Sequence, residues 1–185
     1  TDYGSTGEEY AEYQLTVTSA VERIDLSVEW PYVQIGETIE VGAEVFPGDA
    51  MQTLRWTSSN TKIAKVADGT VQGVSTGTAT ITAYATDGTD KKNSIKINVY
   101  RPVTGIALNK TSGSLLTGKT LSLTATVKPT NATYKTVIWE TNDPDVATVS
   151  AKGVVTAVGA GEAVITARTD YGSTGEEYAE YQLTV

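Results

Sequence analysis

The side chains available for chemistry are carboxylates, hydroxyls, amines, guanidinium groups and aromatic rings, because the chain contains no histidine and no cysteine. Lacking histidine, it has neither the usual general base nor the commonest metal ligand, and the Ser-His-Asp and Cys-His arrangements are ruled out. Lacking cysteine, it can form no disulfide and no thiolate metal site. Serines are plentiful, but none has a histidine or a plausible lysine dyad to activate it, so no catalytic residue is assigned. The nearest approaches to a calcium-type oxygen cluster are Asp87-Gly88-Thr89-Asp90 and Asn142-Asp143-Pro144-Asp145. Calcium needs about six to eight converging oxygens, and neither stretch has EF-hand spacing or a terminal bidentate glutamate. Asp and Asn in such places serve the turns themselves. No cofactor is expected, although calcium at a domain junction, with ligands from both sides, is not excluded.

Two groups of residues suit contact rather than catalysis. Trp30-Pro31-Tyr32 is an aromatic cluster, and exposed aromatics mark carbohydrate or protein contacts. Trp30 and Tyr32 are the candidate ligand-contact residues; packing against a neighbouring domain or linker is the alternative. The second group is a tyrosine- and glutamate-rich terminal stretch holding Tyr171, Tyr178, Tyr181, Glu176, Glu177 and Glu180. It recurs near the start, where Tyr10, Tyr13, Leu15 and Val17 form a candidate strand-exchange segment.

The elements that position these residues are repeated. Residues 1–17 and 169–185 both read TDYGSTGEEYAEYQLTV, an offset of 169 − 1 = 168. A divergent repeat of about half that length lies inside it. Val21-Glu22-Arg23-Ile24-Asp25-Leu26 answers Val103-Thr104-Gly105-Ile106-Ala107-Leu108, an offset of 103 − 21 = 82. Trp56 answers Trp139 at 139 − 56 = 83, Gly77 answers Gly161 at 161 − 77 = 84, and Val99 answers Val185 at 185 − 99 = 86. Growth of the offset in polar or glycine-rich stretches is what insertions in turns produce. At this offset Ser112-Gly113-Ser114 stands opposite Trp30-Pro31-Tyr32, so the scaffold does not require aromatics there. Two domains follow, at residues 21–99 and 103–185, with residues 1–17 expected to be the last strand of a preceding repeat. The linkers are Thr18-Ser19-Ala20 and Tyr100-Arg101-Pro102.

Alternation with period two dominates. It places Ile39, Val41, Ala43 and Val45 on one face of a single expected strand, and Leu121, Leu123, Ala125 and Val127 likewise. Turn signals such as Asp68-Gly69, Asp87-Gly88 and Lys152-Gly153 separate the strands. The fold class is therefore all-β: two sandwiches of about seven strands each, with Trp56 and Trp139 as their large central core residues. The net charge is −8, which repels phosphate backbones and argues against nucleic acid as a partner. No apolar run is long enough for a membrane-spanning helix, and no membrane insertion is expected of this segment.

The run from Trp56 through Ile63-Ala64-Lys65-Val66, Gly69-Thr70-Val71 and Gly77-Thr78-Ala79-Thr80-Ile81-Thr82-Ala83 is specific. So is its partner from Trp139 through Val146-Ala147-Thr148-Val149, Gly153-Val154-Val155 and Gly161-Glu162-Ala163-Val164-Ile165-Thr166-Ala167. Both closely resemble the group-2 bacterial immunoglobulin-like domain. Thr141-Asn142-Asp143-Pro144 departs from the family's usual turn. The resemblance implies a non-catalytic spacer or adhesive module at an extracellular, bacterial-surface or virion-surface location. The partners it implies are neighbouring immunoglobulin-like repeats and a host-cell protein or glycan, with self-association as a further expectation. Three roles follow: a rod-like spacer, a filament or virion subunit exchanging the strand at residues 1–17, and a carbohydrate-binding ancillary module of a secreted enzyme.

Overall fold

A computed structural model describes residues 17–169 and 177–185. Eighteen strands and no helix occur among them. The first nine are β1 (Arg23–Ser27), β2 (Tyr32–Gln34), β3 (Thr38–Glu40), β4 (Gly42–Phe46), β5 (Leu54–Ser58), β6 (Ala64–Ala67), β7 (Thr70–Gly73), β8 (Gly77–Ala85) and β9 (Lys92–Tyr100). The next nine are β10 (Gly105–Leu108), β11 (Ser112–Ser114), β12 (Thr120–Ser122), β13 (Ala125–Lys128), β14 (Val137–Thr141), β15 (Ala147–Val149), β16 (Val154–Ala157), β17 (Glu162–Thr169) and β18 (Tyr178–Thr184).

The first nine strands pair only among themselves, as a four-stranded sheet β2-β9-β8-β5, a three-stranded sheet β3-β7-β6 and a pair β1-β4. The second nine repeat the arrangement as β11-β18-β17-β14, β12-β16-β15 and β10-β13. In both, the strand that opens the four-stranded sheet runs parallel to the last strand, Val33 opposite Val99 and Gly113 opposite Leu183, while the other ladders are antiparallel.

Among the described residues each sandwich has nine strands where about seven are expected, because alternating segments are cut where the chain changes sheets. The stretch from Thr38 to Val45 forms two strands. β3 pairs with β7, Val41 leaves the ladder to donate its N–H to the Gly69 carbonyl at 2.9 Å, and β4 then pairs with β1. Val41 and Val45 are buried, but Ala43 is exposed, so the expected common face holds only in part. Period-two alternation marks the extended residues without saying which sheet each joins.

Each increase in the repeat offset falls between strands. The β4–β5 loop spans 47–53 and its counterpart 129–136; the β6–β7 turn is 68–69, but 151–153 separates the matching ladder; β9 begins seven residues after β8 ends (92 − 85 = 7), whereas β18 begins nine after β17 ends (178 − 169 = 9). The cores are ordinary apolar ones. Val71, Ile81 and Ile97 in the first sandwich and Val155, Ile165, Tyr181 and Leu183 in the second are fully or almost fully buried. Complete burial of such aliphatic side chains stabilises by about 1.5–3 kcal/mol each.

The indoles occupy a different position from the one expected. Trp56 and Trp139 are half-buried, lying against the core rather than at its centre. Trp56 joins the main cluster of its sandwich to a smaller one around Val21, Ile24, Val45 and Ala83. A two-sheet core is about 10 Å thick, and aliphatic side chains from both faces already fill it, so the large indole covers its edge.

Candidate functional site

Two of the turn carboxylates, Asp87 and Asp143, accept backbone N–H groups. Asp87 accepts from the Thr89 hydroxyl at 2.7 Å, the Thr89 N–H at 3.1 Å and, across the chain, the Val21 N–H at 2.7 Å. The Thr89 hydroxyl first, then the Val21 amide, holds its carboxyl below the usual aspartate value. Asp143 accepts from the N–H groups of Asp145 and Val146, and the Asn142 amide oxygen takes the Val164 N–H at 2.7 Å. Among the described residues, no group of three or more acidic side chains is placed to hold a metal ion. Glu140 receives two hydrogen bonds from Arg168, at 2.8 and 3.2 Å, and these lower its pKa.

The two predicted contact aromatics are brought together. Their ring centroids lie 5.4 Å apart with planes tilted by 37°. Trp30 is 57% exposed and Tyr32 is half-buried. They line a shallow cleft of about 250 Å³ with Val28, Glu29, Ile39 and Glu40. The geometry follows from topology: β2 is an outer strand of the four-stranded sheet and β3 an outer strand of the three-stranded one, so the cleft opens along one edge of the sandwich. Glu40 is steadied by the Thr70 hydroxyl of β7 at 2.8 Å. Sequence reasoning found the rings but missed both carboxylates. Glu40 lies beyond the chain reversal at Gly36 and belongs to the other sheet, and nothing in local spacing joins positions 30 and 40.

Of the candidate strand-exchange residues, Tyr10, Tyr13 and Leu15 lie outside the described residues, and the side chain of Val17 is exposed. The identical later copy is described from Glu177 onward. Its Tyr181 and Leu183 are buried in β18, between β17 and β11, and burial raises the pKa of the Tyr181 phenol.

The linker between the sandwiches is gripped from the second one. The Arg101 N–H donates to the Thr133 hydroxyl at 2.8 Å, and the Thr133 N–H donates back to the Arg101 carbonyl at 3.0 Å. The Tyr100 carbonyl accepts from Ile35 N–H of the first sandwich, while the Tyr100 ring meets that of Tyr134, with centroids 6.0 Å apart. Pro102 has no N–H to satisfy. This clamp, too, was not visible in the sequence, since Thr133 and Tyr134 sit in a loop with no periodicity. At the earlier linker, the Ser19 hydroxyl donates to Asp49 at 2.6 Å.

Comparison with known proteins agrees with this architecture. A protein of Clostridium acetobutylicum is 34% identical over 171 residues, covering 91% of this chain and 18% of its own length. An Ig-like virion protein of Serratia phage KSP90 is 31% identical over 160 residues, covering 83% of this chain and 62% of its own. The chain thus spans less than two thirds of either relative. A structure of the C-terminal fragment of intimin, in complex with the intimin-binding domain of the translocated intimin receptor, superposes with a TM-score of 0.53 at 16% identity, covering 90% of this chain and 64% of that one. At that identity the likeness is one of fold. The family model for the bacterial Ig-like domain (group 2) matches twice, at residues 20–95 and 102–178. With both sandwiches matched, the chain belongs to the bacterial Ig-like domain (group 2) family.

Proposed function

We propose that this chain is a non-catalytic structural and adhesive module, a rod-like spacer within an extracellular bacterial surface protein, with domains at 21–99 and 103–185. The observation that carries the reading is the joint. Both hydrogen-bonding groups of the Arg101 backbone are held by Thr133, Pro102 offers no donor, and two tyrosine rings meet across the boundary. A linker so constrained resists bending, as a spacer requires. Small-angle scattering tests this. A compact 185-residue chain would have a radius of gyration of roughly 16 Å. The spacer should exceed that clearly, and Thr133→Val should broaden the distance distribution without unfolding either sandwich. A compact particle would refute the reading.

A second reading, a self-assembling filament or virion subunit, is favoured by one observation. The sequence that forms β18, buried between two strands, recurs letter for letter at residues 10–16. That segment has the side chains to enter the same slot in another copy. Light scattering over a concentration series, with residues 1–17 deleted as the control, should show concentration-dependent growth only in the longer chain. A monomer throughout would dispose of it.

A further inference from the structure

We propose that the cleft between β2 and β3 binds a neutral glycan, with the Trp30 ring stacking on one face of a sugar and the Glu29 and Glu40 carboxylates accepting hydrogen bonds from its hydroxyls. This goes beyond the spacer role and does not depend on it.

Four observations carry the inference. First, the indole meets the Tyr32 ring yet remains 57% exposed among the described residues. A large apolar ring left open at the surface marks a contact. Second, the cleft combines aromatic and aliphatic surface from Trp30, Tyr32, Val28 and Ile39 with two carboxylates. A sugar ring presents the complement: apolar C–H faces and a rim of hydroxyl donors. Glu40 is already oriented by the Thr70 hydroxyl, which reduces the ordering that binding would require.

Third, the chain carries its own control. At the 82-residue offset, positions 28, 29, 30, 32 and 40 become Lys110, Thr111, Ser112, Ser114 and Ser122. Register verifies the correspondence: Val33 lies opposite Val99 in the first sandwich, and the Leu115 N–H bonds to the Thr184 carbonyl beside Val185 in the second. The same fold is therefore built with neither the rings nor the carboxylates. Only the underlying apolar position persists, Ile39 as Leu121. The aromatic and acidic residues do not serve the scaffold.

Fourth, charge selects among ligands. Among the described residues no Lys or Arg lines the cleft, and the chain's net charge is −8. Uronic acids and sulfated sugars would meet two carboxylates with no counter-charge. A cationic side chain would suit the carboxylates, but such groups are held in cages where several rings face inward. Among the described residues there are two rings here, tilted by 37° at the mouth of a shallow cleft, so a flat neutral ring fits better.

The test uses the full chain on an array of neutral oligosaccharides (glucose-, mannose-, galactose-, xylose- and arabinose-based), with polygalacturonate, a sulfated galactan and oligolysine alongside, followed by calorimetric titration of the hits. At least one neutral glycan should bind. Trp30→Ala should weaken it about tenfold, the upper end for one aromatic contact, and Glu40→Gln should weaken it severalfold. Tyr178→Ala, which removes an exposed ring in the other sandwich, should leave binding unchanged. An array blank for neutral glycans, binding indifferent to Trp30→Ala, or a preference for the acidic polymers or oligolysine would overturn the proposal. Scattering of the Trp30→Ala chain should match the parent, so failure here leaves the spacer reading to its own test.

Discussion

Gly153 is where the repeat's glycine and its tryptophan meet, and replacing it by alanine makes a quantitative test. Its φ is +77°, in the left-handed region, and a Cβ built there would lie 2.6 Å from the Leu123 carbonyl oxygen and 2.8 Å from Cζ2 of Trp139. Gly118, in the same sandwich, has almost the same φ, +79°, but a Cβ there meets nothing within 4 Å. Left-handed backbone costs a non-glycine residue about 1–2 kcal/mol. Gly118→Ala should show that cost alone. Gly153→Ala should add the cost of forcing atoms into a packed region, about 1–3 kcal/mol. The Leu123 N–H to Gly153 carbonyl bond at 2.9 Å has to shift, or the indole has to move out. For a sandwich of this size 1 kcal/mol corresponds to about 4–8 °C in Tm, so the two variants should differ by at least about 4 °C. Scanning calorimetry of the whole chain is the assay, since both substitutions act on the same transition. Near-ultraviolet circular dichroism should change for Gly153→Ala and not for Gly118→Ala. Equal Tm shifts would refute the idea that this glycine is there to seat the indole.

Three further outcomes are expected. Gly113→Ala would place a Cβ against the Tyr181 hydroxyl, so it should destabilise the second sandwich, and Tyr181→Phe should relieve part of the loss. A urea double-mutant cycle with a coupling of about 0.5–3 kcal/mol would support this, and strict additivity would not. Asp87 has its folded-state pKa lowered by the Thr89 hydroxyl and the Val21 amide, so its contribution is complete above the ordinary aspartate pKa and lost as pH falls through the lowered one. Urea midpoints measured down through the acid range should therefore decline more steeply for the parent than for Asp87→Asn, and parallel curves would count against the linkage. Ile81→Ala and Ile165→Ala each empty a fully buried site and should cost about 2–5 kcal/mol. Calorimetry should show each one shifting a different transition, because the strands of the two sandwiches do not pair.

The fold was legible because its strongest signals are local. Alternation found the strands, and Asp68-Gly69 forms a two-residue turn with both φ values positive, +48° and +88°, as a hairpin of that length requires. The repeat offset even located the loops that differ in length. The sequence could not show where a strand changes sheets, since at Val41 the switch depends on a hydrogen bond to Gly69, 28 residues away (69 − 41 = 28). The candidate cleft was half legible for the same reason. Trp30 and Tyr32 are neighbours in sequence, Trp30 just before β2 and Tyr32 at its start, whereas Glu40 reaches them only because the chain crosses from one sheet to the other at Ile35 and Gly36, through the Gly36 N–H to Gly73 carbonyl bond at 2.9 Å.

Comparing the two sandwiches separates what the fold needs from what it leaves free. Where the copies agree, the shared residue has a structural task. Gly69 and Gly153, both at positive φ, let the chain pass close to the Val41 and Leu123 carbonyls, and Gly153 also leaves room for the Trp139 ring. Gly77 and Gly161, both at positive φ, pack against Ile63 and Val146. Ala83 and Ala167 lie opposite the two indoles in the ladder. Where the copies differ without consequence for the ladders, the fold imposes no choice. The edge between β2 and β3 is such a place: β2 and β11 pair in the same parallel sense, yet one sandwich presents Trp30, Tyr32, Glu29 and Glu40 and the other presents hydroxyls and a glycine. Burial cannot account for an indole that remains 57% exposed. An exposed ring beside oriented carboxylate oxygen, absent from an otherwise equivalent copy, is better explained by something that binds there than by anything the sandwich itself requires.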